Sequence, residues 1–235
     1  MILFYTTDIQ GDIALLDPIE TRHCTQVLRR QIGDTIQLVD GKGSYYEATL
    51  IDIKKKACLA QITKQVENFD NRSFRLHIGI APTKNMDRLE WFVEKATEIG
   101  IDEITPILCQ RSERRKLRVD RLEKKALAAM KQSLKASLPI INELTSFKKA
   151  IPLVKSLPCK FIAQGLEKSS LQDNYPSGKD VYILIGPEGD FTPEEMDLAY
   201  ANGFIGANLG KSRLRTETAG LVACHTVNLL NAMHT

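Results

Sequence analysis

The chain has 235 residues and a formal net charge of +3, with 26% charged and 43% hydrophobic residues. That balance excludes a disordered chain and is long enough for one large domain or two unequal ones. No apolar run approaches the roughly 20 residues that cross a bilayer, and Met1-Ile2-Leu3-Phe4-Tyr5 lacks the basic flank and long apolar stretch of a secretory signal. A cytoplasmic protein without membrane association is therefore expected.

The five cysteines (Cys24, Cys58, Cys109, Cys159 and Cys224) are odd in number and scattered, with no CxxC and no Cys/His cluster. Buried free thiols and no metal site are expected.

The first 65 or so residues read as short strands. Residues 20–30 predict one short helix with Val27 and Leu28 inward and Arg22, Arg29 and Arg30 outward. Ile36 to Val39 is a strand that runs into Asp40-Gly41-Lys42-Gly43, a tetrad suited to a hairpin turn. Tyr45 to Ile53 and Cys58 to Ile62 follow as strands, and this spacing suggests a small β-barrel. Residues 64–73 are polar and read as a linker. Charge is unevenly placed. Residues 1–70 hold eight Lys/Arg against ten Asp/Glu, a balance of −2, whereas residues 110–135 hold ten against three, a balance of +7. The basic stretch suits either phosphate neutralisation, with release of counterions, or a solvated helix face.

From Phe74 the pattern becomes strands alternating with helices, an α/β domain. Phe74, Leu76, Ile78 and Ile80 alternate as a strand. Leu89, Phe92, Val93, Ala96 and Ile99 have helical spacing, with Gly100 as the stop. Ile104 to Leu108 is a strand. Asp120 with Glu123 opens a helix whose inner face is Leu122, Ala126, Met130 and Leu134. Phe161 to Ala163 and Val181 to Ile185 are apolar enough to be central strands. Thr192-Pro193-Glu194-Glu195 is a capping box with proline at the first helical position, closed by Gly203. A strand near 204–209 and a final helix from about Thr218 complete the domain. Trp91 is expected in the core or at a dimer contact, and His23 in helix packing.

Two segments carry chemistry. Gly186-Pro187-Glu188-Gly189-Asp190-Phe191 joins the most apolar strand to a capped helix, where open α/β sheets gather their ligands. Its glycines permit close backbone approach, although a tight strand-to-helix turn would use the same residues. Leu209-Gly210-Lys211-Ser212-Arg213-Leu214-Arg215-Thr216-Glu217-Thr218-Ala219-Gly220 joins another strand to a helix, and Thr216 or Thr218 could simply cap it. Neither is a dinucleotide GxGxxG or a GxxxxGK[ST] phosphate cradle, which argues against nicotinamide enzymes and nucleotide triphosphatases.

In combination with His23-Cys24-Thr25-Gln26-Val27-Leu28-Arg29, Gly33-Asp34, Lys84, Asp87-Arg88, Glu94-Lys95-Ala96-Thr97-Glu98-Ile99-Gly100, Pro106, Arg111-Ser112, Gln132-Ser133 and Pro139, these two segments resemble the RsmE family of ribosomal RNA uracil-N3 methyltransferases in the SPOUT superfamily. Small departures are Asp190, where a second glycine is common, Lys135, where arginine is common, and the wording of residues 211–215. The resemblance implies a PUA-like β-barrel over residues 1–68 that docks RNA. It implies a SPOUT-type α/β domain over residues 73–235 with a deep C-terminal trefoil knot, cofactor binding and homodimerisation.

By the same resemblance S-adenosylmethionine is the cofactor, held in a bent pose by Gln164, Leu184, Gly186, Pro187, Glu188, Gly189, Leu209, Gly210, Leu214, Thr218 and Ala219. Arg215 is expected to stabilise the developing uracil anion, with Glu217 orienting it or relaying the proton. Ribosomal RNA or the small ribosomal subunit would dock on Arg22, Arg29, Arg30 and Lys42 of the barrel, and on Arg111, Arg114, Arg115 and Lys116 of the basic stretch. Rival readings are a related SPOUT enzyme, such as a transfer RNA ribose 2′-O methyltransferase, and a non-catalytic RNA-binding assembly factor.

Overall fold

The structure, a computed structural model, describes residues 2–233. The chain forms two compact units. The first takes the chain up to Asn71 together with Leu127–Leu138, and the second takes Arg72–Ala126 and the chain from Pro139 onward.

In the first unit, β1 (Leu3–Tyr5), β2 (Ile9–Gln10), β3 (Ile13–Leu16), β4 (Thr35–Val39), β5 (Tyr45–Lys54) and β6 (Ala57–Val66) form one six-stranded sheet in the order β1-β4-β5-β6-β3-β2. The β1–β4 pair is parallel and the others are antiparallel. Period-two alternation puts Tyr46, Ala48 and Leu50 of β5 into a core with Phe4, Leu16, Ile36, Leu38, Cys58 and Ala60. The β4–β5 turn is the expected one. Asp40 accepts from the Lys42 and Ser44 amides at 2.7 and 3.0 Å, and Gly41 and Gly43 hold positive φ of 74° and 100°.

The predicted helix over 20–30 is corrected. Asp17 caps a short α1 (Pro18–Arg22), which passes into a π-helical turn over His23–Val27. A π turn takes about one more residue than an α turn, so a phase counted at 3.6 drifts. Val27 swings out to 64% exposure, while Leu28 packs on the core. Arg29 sits at φ 55°. His23 packs its ring 5.6 Å from Phe4. Part of the expected linker is strand, because β6 continues to Val66. Residues 127–138 pack in this unit too. Met130 and Ala136 join Leu3, Val39 and Tyr45 in a small buried cluster, and the Ala136 carbonyl accepts from the Gly43 amide at 3.1 Å.

The second unit is built on a parallel sheet. Its strands are β7 (Leu76–Ile80), β8 (Glu103–Leu108), β9 (Ile140–Ile141), β10 (Thr145–Ser146), β11 (Cys159–Ala163), β12 (Val181–Ile185) and β13 (Ile205–Ala207), in the order β10-β8-β7-β12-β11-β13, with β9 also on β8. Every residue of β12 is buried, as expected of a strand covered on both faces. The helices are α2 (Met86–Ile99), α3 (Val119–Gln132, of which only the part up to Ala126 belongs to this unit), α4 (Phe147–Leu153), α5 (Leu171–Asn174), α6 (Pro193–Ala201) and α7 (Thr216–Met233). Leu89, Phe92, Val93 and Ala96 form the buried face of α2 as predicted, and Gly100 at φ 128° ends it. Gly220 lets α7 lie close to α2 and β7, since a Cβ there would stand 2.7 Å from the Phe92 ring and 2.9 Å from Ile80.

Trp91 is 41% exposed and so lies outside the core. One further expectation is corrected. Leu134 lies beyond the end of α3 at φ 59°, outside the helical face it was assigned to. All five cysteines are buried.

His77 sits inside this sheet. Its Nε2 lies 2.7 Å from the Thr105 hydroxyl and its ring 4.4 Å from the Tyr182 ring. Burial drives its pKa down to about 4, against a smaller opposing pull from Glu103. The unfolded chain then binds the proton more tightly, so stability present above about pH 6.5 is lost as pH falls toward 4. Urea denaturation is expected to show a decline of up to roughly 3 kcal/mol across that window, and His77→Gln should remove most of the slope.

Candidate active site

The site lies at the carboxyl ends of the adjacent parallel strands β12, β11 and β13, where the loops that follow them converge. Ligands of open α/β sheets bind in this position. Around a cavity of about 530 Å³ stand Ala163, Gln164, Gly165 and Leu166 after β11, Ile185 to Glu188 and Asp190 after β12, and residues 209–216 with Ala219 after β13. A volume of this size suits an organic cofactor of several hundred daltons.

The two glycine-bearing loops, far apart in sequence, are joined directly. The Thr216 hydroxyl, at the start of α7, donates to the Gly186 carbonyl at 3.0 Å. Gly186 leaves room for Phe191, whose ring would lie 3.0 Å from an added Cβ. Asp190 takes φ 63° and its amide donates back to the Pro187 carbonyl at 2.9 Å, closing a tight turn. Thr192 and Glu195 then form the predicted capping box at the head of α6.

The glycine loop is also held from outside. Glu188 accepts from the Lys84 amide at 3.1 Å. The Arg111 guanidinium donates to the Gly189 and Phe191 carbonyls at 2.9 and 3.4 Å. Arg114 donates to the Thr83 and Lys84 carbonyls at 3.1 and 2.7 Å. The loop after β8 is itself pinned to α6, because the buried Glu195 accepts from the Gln110 amide at 2.8 Å. Two arginines expected to dock RNA are thus engaged with backbone carbonyls, a role that charge counting alone does not reveal. Arg115 and Lys116 are exposed and form no side-chain hydrogen bond or ion pair among the described residues.

Of the expected cofactor residues, Gln164, Gly186, Pro187, Glu188, Leu209, Gly210, Leu214 and Ala219 line the cavity, together with Arg215. Leu184, Gly189 and Thr218 are not among the lining residues. Leu184 is fully buried in the sheet, with its neighbour Ile185 at the wall, and Gly189 backs onto Arg111. Arg215 is exposed, and its side chain forms no hydrogen bond or ion pair among the described residues. Glu217 is buried and points elsewhere, 3.8 Å from Arg88 of α2. Lys211, Ser212 and Arg213 also line the cavity. In the first unit Arg22, Arg29 and Lys42 are exposed, and Arg30 lies 4.0 Å from Asp34. Among the described residues no group of three or more His, Cys, Asp or Glu could hold a metal ion, and no helix is long and apolar enough to cross a membrane.

The unit built on the parallel sheet, with its cofactor-sized cavity, is an RNA methyltransferase domain. Residues 70–228 match the family model described as RNA methyltransferase domain, and residues 16–63 match the RNA methyltransferase PUA domain. A crystal structure described as a "probable rRNA-methyltransferase" from Porphyromonas gingivalis superposes with a TM-score of 0.92 at 41% identity over all of both chains. The ribosomal RNA small subunit methyltransferase E of Neisseria gonorrhoeae, crystallised with S-adenosyl methionine, superposes with a TM-score of 0.83 at 28% identity over 98% of both chains. The same-named protein of Buchnera aphidicola is 30% identical over 223 residues, 87% of this chain and 83% of its own. The chain belongs to the ribosomal RNA small subunit methyltransferase E family.

Arg111→Ala is expected to free the Gly189 and Phe191 carbonyls and to cost about 1 kcal/mol in urea denaturation. Amide exchange should quicken in residues 186–191 and stay unchanged in β12.

Proposed function

We propose that the chain transfers the methyl group of S-adenosylmethionine to N3 of one uridine in the RNA of the small ribosomal subunit, acting in the cytoplasm as a homodimer. The observation that carries this reading is the direct tie between Thr216 and Gly186, which makes one cavity out of the two loops that the family resemblance marks for the cofactor. The cavity fits such a ligand in chemistry as well as size. Ile185, Leu209, Leu214 and Ala219 offer apolar surface to a purine, while Gln164 and Glu188 offer polar groups to the rest.

When bound, the cofactor supplies an electrophilic methyl on a sulfonium. The work left to the chain is orientation and electrostatics. Uracil N3 carries a proton and is a poor nucleophile until that proton passes to water and leaves the imide anion. Arg215, unpaired at the cavity wall, is placed to favour the imide anion by donating to a carbonyl beside N3. Glu217, buried against Arg88, acts on Arg215 indirectly by fixing the first turn of α7. N3 lies on the base-pairing edge, so the target uridine must be unpaired or extracted when it reacts.

RNA would dock on Arg22, Arg29, Arg30 and Lys42 of the first unit and on the loop carrying Arg111, Arg114, Arg115 and Lys116, with Arg115 and Lys116 reaching phosphates most freely. The C-terminal trefoil knot belongs to the same proposal. It is supported by the strand order, in which β12 and β13 flank the earlier β11.

Arg215→Ala is expected to lower the single-turnover methylation rate about 100-fold, with S-adenosylmethionine affinity unchanged; a normal rate at saturating RNA and cofactor would refute the role. Neutralising Arg115 and Lys116 together should reduce the slope of log affinity for RNA against log salt by about 1 to 2. An unchanged slope would remove both from the interface.

A further inference from the structure

The loop after β11 and the loop after β13 form two walls of the cavity, and their tips are loosely packed. Leu166 is 89% exposed. A Cβ added at Gly165 or at Gly210 would meet nothing within 4 Å. Polar ties therefore help to set the separation of these walls: the Gln164 amide donates to the Ala207 carbonyl at 3.0 Å, and several more converge on one residue that is itself outside the cavity lining.

Asn208 makes four hydrogen bonds. Its amide donates to the Ser169 carbonyl at 3.0 Å, and its carbonyl accepts from the Leu171 amide at 3.0 Å. Its side-chain Nδ2 donates to the Glu167 carbonyl at 2.9 Å. Its Oδ1 accepts from the Gly210 amide at 3.0 Å. One short planar amide thus grips the first wall with its donor and the second with its acceptor, a division of roles that a carboxylate cannot reproduce. The first wall is braced in turn, because the Glu167 carboxylate accepts from the Tyr200 hydroxyl of α6 at 2.8 Å. That side chain passes over Gly206, where an added Cβ would stand 2.9 Å from Glu167 Cγ. The bare strand position makes room for the brace.

We propose that Asn208 is a positioning residue that fixes the distance between the two walls and so sets how long S-adenosylmethionine stays bound. The proposal rests on the cofactor reading above. Asn208 touches neither cofactor nor reacting base; it acts through the backbone of Glu167 and Gly210.

The test uses the full chain with two variants, Asn208→Asp and Tyr200→Phe. S-adenosylmethionine is titrated calorimetrically, its dissociation is timed, and amide exchange is measured in the ligand-free protein. For Asn208→Asp the Kd and the KM for cofactor are expected to rise about ten-fold through faster dissociation, with kcat at saturating cofactor within about two-fold of wild type. Exchange should quicken in residues 164–170 and 209–214 and stay unchanged in β12. Tyr200→Phe, which removes one exposed hydroxyl and leaves the sheet intact, should weaken binding about two- to three-fold, and it decides the matter if the first variant does not fold. A purely structural role would lower Tm and kcat together instead. Wild-type binding with unaltered affinity and exchange in the variants would overturn the role of Asn208 alone. No binding by the wild-type protein would overturn the cofactor reading itself.

Discussion

The site depends on one hydrogen bond between distant parts of the chain, from the hydroxyl of Thr216 to the carbonyl of Gly186. Parallel strands end in loops that have no obligation to meet, because their backbone groups are free to bond with water. Here the head of α7 is tied to the turn after β12, and Gly220 then lets the same helix settle against Phe92 and Ile80. The tie, the close helix packing and the fully buried strand β12 work together. The strand supplies a rigid base, the glycine lets the helix approach, and the threonine turns that approach into a closed wall.

Around this junction the charged residues divide into two populations. Arg111, Arg114 and Glu195 spend their hydrogen-bonding capacity on backbone groups of neighbouring loops. Arg115, Lys116 and Arg215 keep theirs free among the described residues. A loop that must stay open to ligand cannot bury apolar side chains to hold its shape, and charge-assisted bonds to carbonyls are the alternative. The basic stretch that follows β8 therefore serves the architecture of the cavity through Arg111 and Arg114.

Much of this was legible in the residues. Alternation through Leu76, Ile78 and Ile80, helical spacing through Leu89, Phe92 and Ala96, and the Thr192 capping box each report a local rule that the surroundings do not overrule. Where local reading failed, another force had taken over. The π turn over His23–Val27 shifted the helical phase, and the short strands β9 and β10 carry too few residues for alternation to register. In the site, the glycines and Arg215 could be located from their loops. Asn208 and Glu167 could not, because nothing in an isolated asparagine or glutamate says that its partner is a carbonyl 41 residues away or a hydroxyl 33 residues away.

The packing of residues 127–138 within the first unit bears on how this protein can be taken apart. Met130 and Ala136 complete the small cluster over Leu3, Val39 and Tyr45, and the backbone of 136–138 bonds to Gly41 and Gly43. A fragment cut at Asn71 would leave those three side chains facing water. The N-terminal module is therefore not a cassette that can be exchanged between relatives at a single junction; a graft must carry the second strip of chain with it.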